Sequence, residues 1–194
     1  MDNFLPEDYN IPEGASNYMK FEEGTNTFRV LSSAITGWEY WTEDKEGKKP
    51  NRVKKFEELP DEVKSATDNK DKARHFWAFV VYNQVTKTIQ ILEISQKTVM
   101  RDIKGLVNNP KWGDPKGYDI TVNKIKTGSE SRDVEYSTMP EPKEELDKEV
   151  VEQYKEKNIN LSALYKGEDP FSSTGEDKDS DFIEELMEEK DANS

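Results

Sequence analysis

Aromatic rings and positive charges occur together in several parts of this 194-residue chain. A ring can stack on a nucleobase and a cation can pair with a phosphate, so the combination is typical of proteins that hold a single nucleic-acid strand without reading its sequence. The candidate side chains are Trp38, Tyr40, Trp41, Lys48, Lys49, Arg52, Lys54, Lys55, His75, Trp77, Tyr82, Trp112, Lys124, Lys126 and Arg132. Lys45 extends the basic cluster around the Gly-Lys-Lys-Pro turn.

Each of these residues also has a purely structural interpretation. Tryptophan is a common core residue in small barrels, and clustered lysines can simply form a solvated hairpin. Trp38 and Trp77 share a strand face with apolar residues, so they fit the core interpretation best. Trp41 and Trp112 stand beside charges and turns, and we expect them to meet solvent or ligand.

Catalytic and metal chemistry finds little support in the sequence. His75 is the only histidine, and cysteine is absent, which excludes disulfides and thiolate metal sites. No spaced set of carboxylates falls on a predicted strand, and the glycines form no phosphate-binding signature. We therefore predict a binding protein rather than an enzyme, with no catalytic residue, no metal and no cofactor.

The net charge of −13 belongs to the two ends of the chain. Residues 141–194 hold 18 acidic and 7 basic side chains, and residues 1–19 hold four acidic and no basic ones. The body between them, with 21 basic and 19 acidic residues, is nearly neutral and can bind a polyanion. No apolar run reaches the length of a membrane span and no signal peptide is evident, so we expect a cytoplasmic protein without a membrane partner.

The stretch 75–83 organises the predicted fold, because its aromatic and β-branched residues favour a strand that is covered on both faces. Strands are also predicted over 27–41, with a bend at Gly37, and over 88–94, 118–125 and 132–138. Val99, Ile103, Leu106 and Val107 recur at helical spacing and predict a helix over 96–107.

Three strands, a helix and two strands follow the order of an oligonucleotide-binding (OB) barrel. We therefore predict a mostly β protein built on a five-stranded OB-fold barrel. Its divisions are an N-terminal arm (1–25), the barrel (26–142) with an insertion between strands 1 and 2 (42–73), a charged helical segment (143–166) and a disordered acidic tail (167–194). Such barrels bind single strands on strands 2 and 3 and between the 1–2 and 4–5 loops, where the candidate residues lie.

The sequence resembles the single-stranded DNA-binding replication proteins of tailed bacteriophages. The resemblance spans residues 9–142 and is carried by 17–21 with 28–31, by 75–81, and by 117–120 through the stretch ending at Pro140. It implies sequence-independent binding of single-stranded DNA during phage replication, recombination or repair, in the host cytoplasm. Two features depart from relatives: this chain lacks a Cys/His zinc module, and it ends in Asp191-Ala192-Asn193-Ser194 rather than in an aromatic residue.

The acidic tail contains one apolar island, in which Phe182/Leu186 and Ile183/Met187 recur at helical spacing beside Asp181. We expect the tail to compete for the DNA groove and to recruit partners such as a polymerase or helicase through these residues. Its charge alone could instead keep the protein soluble. A rival interpretation of the whole chain is an acidic viral protein-interaction module, which mimics DNA or inhibits a host nucleic-acid enzyme.

Overall fold

The computed structural model describes residues 16–54, 57–60 and 73–172. Its strands are β1 (Tyr18–Met19), β2 (Gly24–Val30), β3 (Ile35–Asp44), β4 (Gly47–Lys54), β5 (Ala73–Asn83), β6 (Thr88–Ile94), β7 (Tyr118–Lys126) and β8 (Val134–Lys143). The helices are α1 (Lys97–Val107) and α2 (Lys148–Lys157), with 3-10 turns at Pro115–Gly117 and Leu161–Lys166.

Strand β5 lies at the centre of the sheet, as its sequence indicates. One edge pairs with β6, and the other pairs with β3 along its first half and with β2 near its end. Phe79 and Val81 face one hydrophobic core, while Phe76, Ala78 and Val80 face a second. The apolar character of both faces of β5 therefore reflects two separate cores, one on each side of the sheet.

The first core lies between β2, β5, β6 and β7 and is closed by α1 through Val99, Met100 and Ile103. The second core is covered by the C-terminal segment, which contributes Val150 and Tyr154 from α2 and Leu161 and Leu164 from the following turn. The predicted charged helical segment thus comprises α2 and a 3-10 turn, and both pack on the sheet.

The prediction of a mostly β protein is confirmed, but the prediction of a closed five-stranded barrel is wrong. The eight strands form one open mixed sheet, in the order β1-β6-β5-β2-β7-β8 with the β3–β4 hairpin branching from β5. The physical reason lies at β6, whose outer edge pairs in parallel with β1, placing Tyr18 opposite Ile91 and Met19 opposite Leu92. Among the described residues β8 pairs only with β7, so no strand pair closes the sheet.

The segment that follows β1 packs against residues of both β2 and β8. Phe21 lies with its ring centroid 6.3 Å from that of Phe28 and 6.0 Å from that of Tyr136 on β8. Residues 16–25 are part of the predicted N-terminal arm (1–25), and in the structure they supply β1 to the sheet and Met19 and Phe21 to the first core. The remainder of the predicted arm, residues 1–15, lies outside the described residues.

The predicted insertion begins as a regular hairpin. Strand β3 continues to Asp44. All of β4 pairs with it, from Gly37 opposite Lys54 to Asp44 opposite Gly47. The bend predicted at Gly37 is a site of close approach, because a Cβ there would collide with the Val53 carbonyl oxygen. Residues 55–56 and 61–72 of the predicted insertion lie outside the described residues, and Ala73 is the first residue of β5.

Strand β8 runs further than predicted, through Pro140 and Pro142 to Lys143. Proline is compatible with a strand whose outer edge forms no backbone ladder, as is the case for β8 within residues 16–54, 57–60 and 73–172. Within the described part of the chain, no helix is both long enough and apolar enough to cross a bilayer.

Candidate functional site

Four aromatic side chains lie on one side of the β3–β4–β5 sheet, and we call this surface the aromatic face: Trp38, Tyr40, His75 and Trp77. Directly opposed residues of antiparallel strands share a face, and Trp38 lies opposite His75 while Trp77 lies opposite Thr36. Trp38 and Tyr40, two residues apart, then point to the same side. All four are half-buried, so each presents part of its ring to solvent.

His75 is fixed within this surface. Its Nδ1 lies 2.8 Å from the Gly37 carbonyl oxygen and donates to it, and its ring centroid is 5.2 Å from that of Trp38. Beyond Tyr40, Asn51 donates to the Thr42 hydroxyl at 2.8 Å, which ties the two strands of the hairpin together on the same side. The aromatic face is thus a preorganised surface of rings with a polar margin.

A groove of about 380 Å³ adjoins the aromatic face and shares Trp77 with it. Phe79 lies beside Trp77 in the groove, and the walls come from the β2–β3 connection, the end of α1 and the 3-10 turn near Lys116. Val107, on the α1 wall, is 44% exposed. The groove therefore extends the ring surface of the β3–β4–β5 sheet toward the helix.

The opposite side of the same hairpin carries charges. Arg52 Nη2 lies 2.9 Å from a carboxylate oxygen of Glu39 and 2.9 Å from one of Glu93, which joins β4 to β3 and β6. The guanidinium also lies 5.8 Å from the Phe76 ring centroid, and only 13% of the Arg52 side chain is exposed. We call Glu39, Arg52 and Glu93 the Arg52 cluster; it anchors the hairpin from behind the aromatic face.

The Arg52 cluster contains one cation for two carboxylates, and this imbalance changes the acidity of Glu93. Burial, together with a hydrogen bond between the Glu39 and Glu93 carboxyl groups, raises the pKa of Glu93 to about 7 despite the nearby Arg52 charge. At neutral pH the Glu93 carboxyl group is therefore protonated for part of the time.

We predict that this pKa makes stability depend on pH. A carboxyl group whose pKa rises from 4.5 to about 7 on folding holds its proton more tightly in the folded state. The free energy of unfolding should then fall as pH rises through this window, by at most about 1.4 kcal/mol per pH unit, and level off above it. Urea unfolding of wild type and Glu93→Gln at several pH values measures this effect as the difference between the two proteins. A constant difference from pH 5 to 8 would contradict the assignment.

The predicted basic cluster is not a continuous cationic surface. Arg52 is buried in the cluster described above, and Lys49 Nζ lies 3.1 Å from Asp44 and 2.7 Å from Glu46. Lys54 is exposed with its Nζ 5.8 Å from the Tyr165 ring centroid, on the side opposite the aromatic face. Lys48 is exposed on that same opposite side, and Lys55 lies outside the described residues.

The predicted basic residues of the 4–5 connection lie near the start of β2, whereas the hairpin lysines lie on β4, opposite β3. Lys124 pairs with Gly24 at the start of β2 and donates to the Phe21 carbonyl oxygen at 2.9 Å. Lys126 is exposed at the end of β7, and Arg132 is ion-paired with Glu130 at 2.5 Å. These residues are not brought together with the hairpin lysines.

Three predicted rings lie away from the aromatic face. Trp41 is 58% exposed and lies on the opposite side of β3 from Trp38. Tyr82 packs against the second core, and Trp112 packs against the first core with its ring 5.3 Å from that of Tyr118. Trp112 thus has a structural role that its position beside a turn did not indicate.

A basic region that sequence reasoning missed lies on α1 and the loop after it. Residues 97–116 hold five basic side chains (Lys97, Arg101, Lys104, Lys111 and Lys116) against two acidic ones. Ile103 and Val107 of this segment line the groove, and so do Asp114 and Lys116, which form an ion pair at 3.8 Å. The signal was present in the sequence as a local charge excess on the predicted helix.

In the part of the chain that the structure describes, no group of three histidine or carboxylate side chains is placed to hold a metal ion. The predicted tail residues Asp181, Phe182, Ile183, Leu186 and Met187 lie outside the described residues. Comparison of the sequence with models of known protein families and with curated proteins finds no match.

Proposed function

We propose that the protein binds single-stranded DNA without sequence preference. The observation that carries this proposal is the aromatic face, on which two tryptophans, a tyrosine and a histidine from β3 and β5 lie half-buried on one side of the sheet. An unpaired strand offers the flat faces of its bases, and each stacked base contributes about 1–3 kcal/mol. A duplex buries those faces within its own stack, so the rings favour single strands.

Phosphate contacts supply the other part of binding. Helix α1 and the loop after it carry an excess of basic residues, and the body of the chain is nearly neutral despite the net charge of −13. Cations beside a row of rings match the alternation of phosphates and bases along a strand. In this proposal the phosphates follow α1 and its loop, and the bases lie toward β3 and β5.

The cellular setting of the proposal is phage DNA replication, recombination or repair, on the basis of the sequence resemblance. The order β2–β3, β5, β6, α1, β7, β8 supports an opened relative of the OB fold, in which β1 occupies the edge that barrel closure would use. The acidic residues after Gly167 act in this proposal as a competitor for the DNA surface and as a ligand for replication partners.

Fluorescence titration with oligo-dT tests the proposal. We expect tryptophan emission to be quenched on binding, because Trp38 and Trp77 stack on bases. Affinity should fall with salt, with a logarithmic slope of about −0.7 for each phosphate neutralised. A duplex of the same length is the control and should bind more weakly. Failure to retain oligo-dT would overturn the proposal and favour the protein-interaction alternative.

A further inference from the structure

The groove beside the aromatic face has the chemistry of a site for a flat, partly polar ring. Trp77 and Phe79 lie together in it, and Ala34, Ile103 and Val107 contribute aliphatic surface. Its volume of about 380 Å³ falls within the range of small-molecule sites. The groove is open to solvent, since Ala34 is exposed and Val107 is 44% exposed.

The groove also has polar groups along one wall. Ser33 and Ala34 are exposed in the β2–β3 connection, and within the described residues their backbone N–H groups have no hydrogen-bond partner. The neighbouring Ser32 is engaged, because its hydroxyl oxygen accepts from the Val80 N–H at 2.9 Å. Backbone N–H groups are suitable donors for the carbonyl oxygens and ring nitrogens of a nucleobase, and binding without sequence preference requires no side-chain readout.

We propose that this groove holds one nucleobase of the bound strand, at the end of the stack that begins on Trp38 and Tyr40. This inference rests on the function proposed above and specifies where the strand leaves the open sheet. Continuity supports it, because Trp77 belongs to both surfaces. The charge around the groove also supports it: the groove's own Asp114 and Lys116 form an ion pair, but residues 97–116 as a whole hold five basic and two acidic side chains, an excess that favours an occupant joined to phosphates.

Ala34→Phe tests the inference by filling the groove while leaving the four rings of the aromatic face in place. Val85→Phe is the matched control, since Val85 is 70% exposed in the turn after β5 and does not line the groove. We expect Ala34→Phe to bind oligo-dT about 5- to 150-fold more weakly than wild type, the equivalent of one lost stacked base. Val85→Phe should bind as wild type does. An abasic strand of the same length should bind wild type and Ala34→Phe equally, because it has no base to place in the groove.

A second variant covers the case in which Ala34→Phe fails to fold, as thermal unfolding would reveal. Val107→Glu leaves the groove unfilled but places a negative charge on its rim, and Val85→Glu is its control. If wild type binds oligo-dT and both groove variants bind it as tightly as wild type does, the groove holds no base and the proposed function still stands. Tighter binding by Ala34→Phe than by wild type would show that the groove holds the chain's own acidic segment 173–194, which also overturns the inference. If wild type itself does not bind, the proposed function fails first.

Discussion

Replacing Trp38 and Tyr40 together with alanine is expected to weaken binding of oligo-dT by about 30-fold or more. The two rings lie on the aromatic face, and loss of two stacking platforms corresponds to about 2–6 kcal/mol. Neither ring belongs to the two hydrophobic cores, so the double variant should remain folded. Anisotropy of a labelled oligo-dT measures the affinity, and circular dichroism checks the fold.

Trp41→Ala provides a control on the same strand. Trp41 follows Tyr40 directly, is 58% exposed and points to the opposite side of β3. If the aromatic face is the contact surface, Trp41→Ala should bind oligo-dT as wild type does. Should Trp41→Ala lose as much affinity as the Trp38/Tyr40 double variant, the strand must contact the other side of the hairpin.

The local elements were predictable where hydrophobic periodicity is unbroken. The predicted strand 88–94 coincides with β6, and the predicted helix 96–107 matches α1 within one residue. The open sheet was not predictable, because it depends on the two-residue strand β1, which is too short to show a period. The pairing of β1 with β6 joins residues distant in sequence and competes with barrel closure. The local sequence pattern does not determine which of the two arrangements forms.

The candidate site was predictable in composition but not in arrangement. The sequence indicated that Trp38, Tyr40 and Trp41 lie on a strand, but it did not show which side of that strand binds. The face follows from register, which places Glu39 opposite Arg52 and therefore turns these two charged residues away from Trp38. Arg52 looked like one more cation of a basic cluster because its two carboxylate partners, Glu39 and Glu93, are distant in sequence.

Arg52→Ala is expected to lower the free energy of unfolding by about 3–5 kcal/mol. The substitution leaves the Glu39 and Glu93 carboxyl groups facing each other in a largely buried site without their cation, and uncompensated buried charge is among the most destabilising changes known. The loss should be greater at pH 8 than at pH 5.5, because Glu93, whose pKa is raised to about 7, is protonated at the lower pH and its repulsion with Glu39 is then relieved. Urea unfolding at both pH values measures it.

Lys49→Ala is the matched comparison, since Lys49 lies on the same strand and pairs with Asp44 and Glu46 at an exposed site. Exposed ion pairs contribute little, so this variant should unfold much as wild type does at both pH values. A similar loss in the two variants would mean that β4 is sensitive to any substitution and that the Arg52 cluster has no special role.

If the cluster anchors the hairpin, Arg52→Ala should also weaken oligo-dT binding under conditions in which it remains folded. Arg52 does not touch the aromatic face, so that loss would arise from misplacement of Trp38 and Tyr40, and a Trp38/Tyr40/Arg52 triple variant should then bind no more weakly than the double variant.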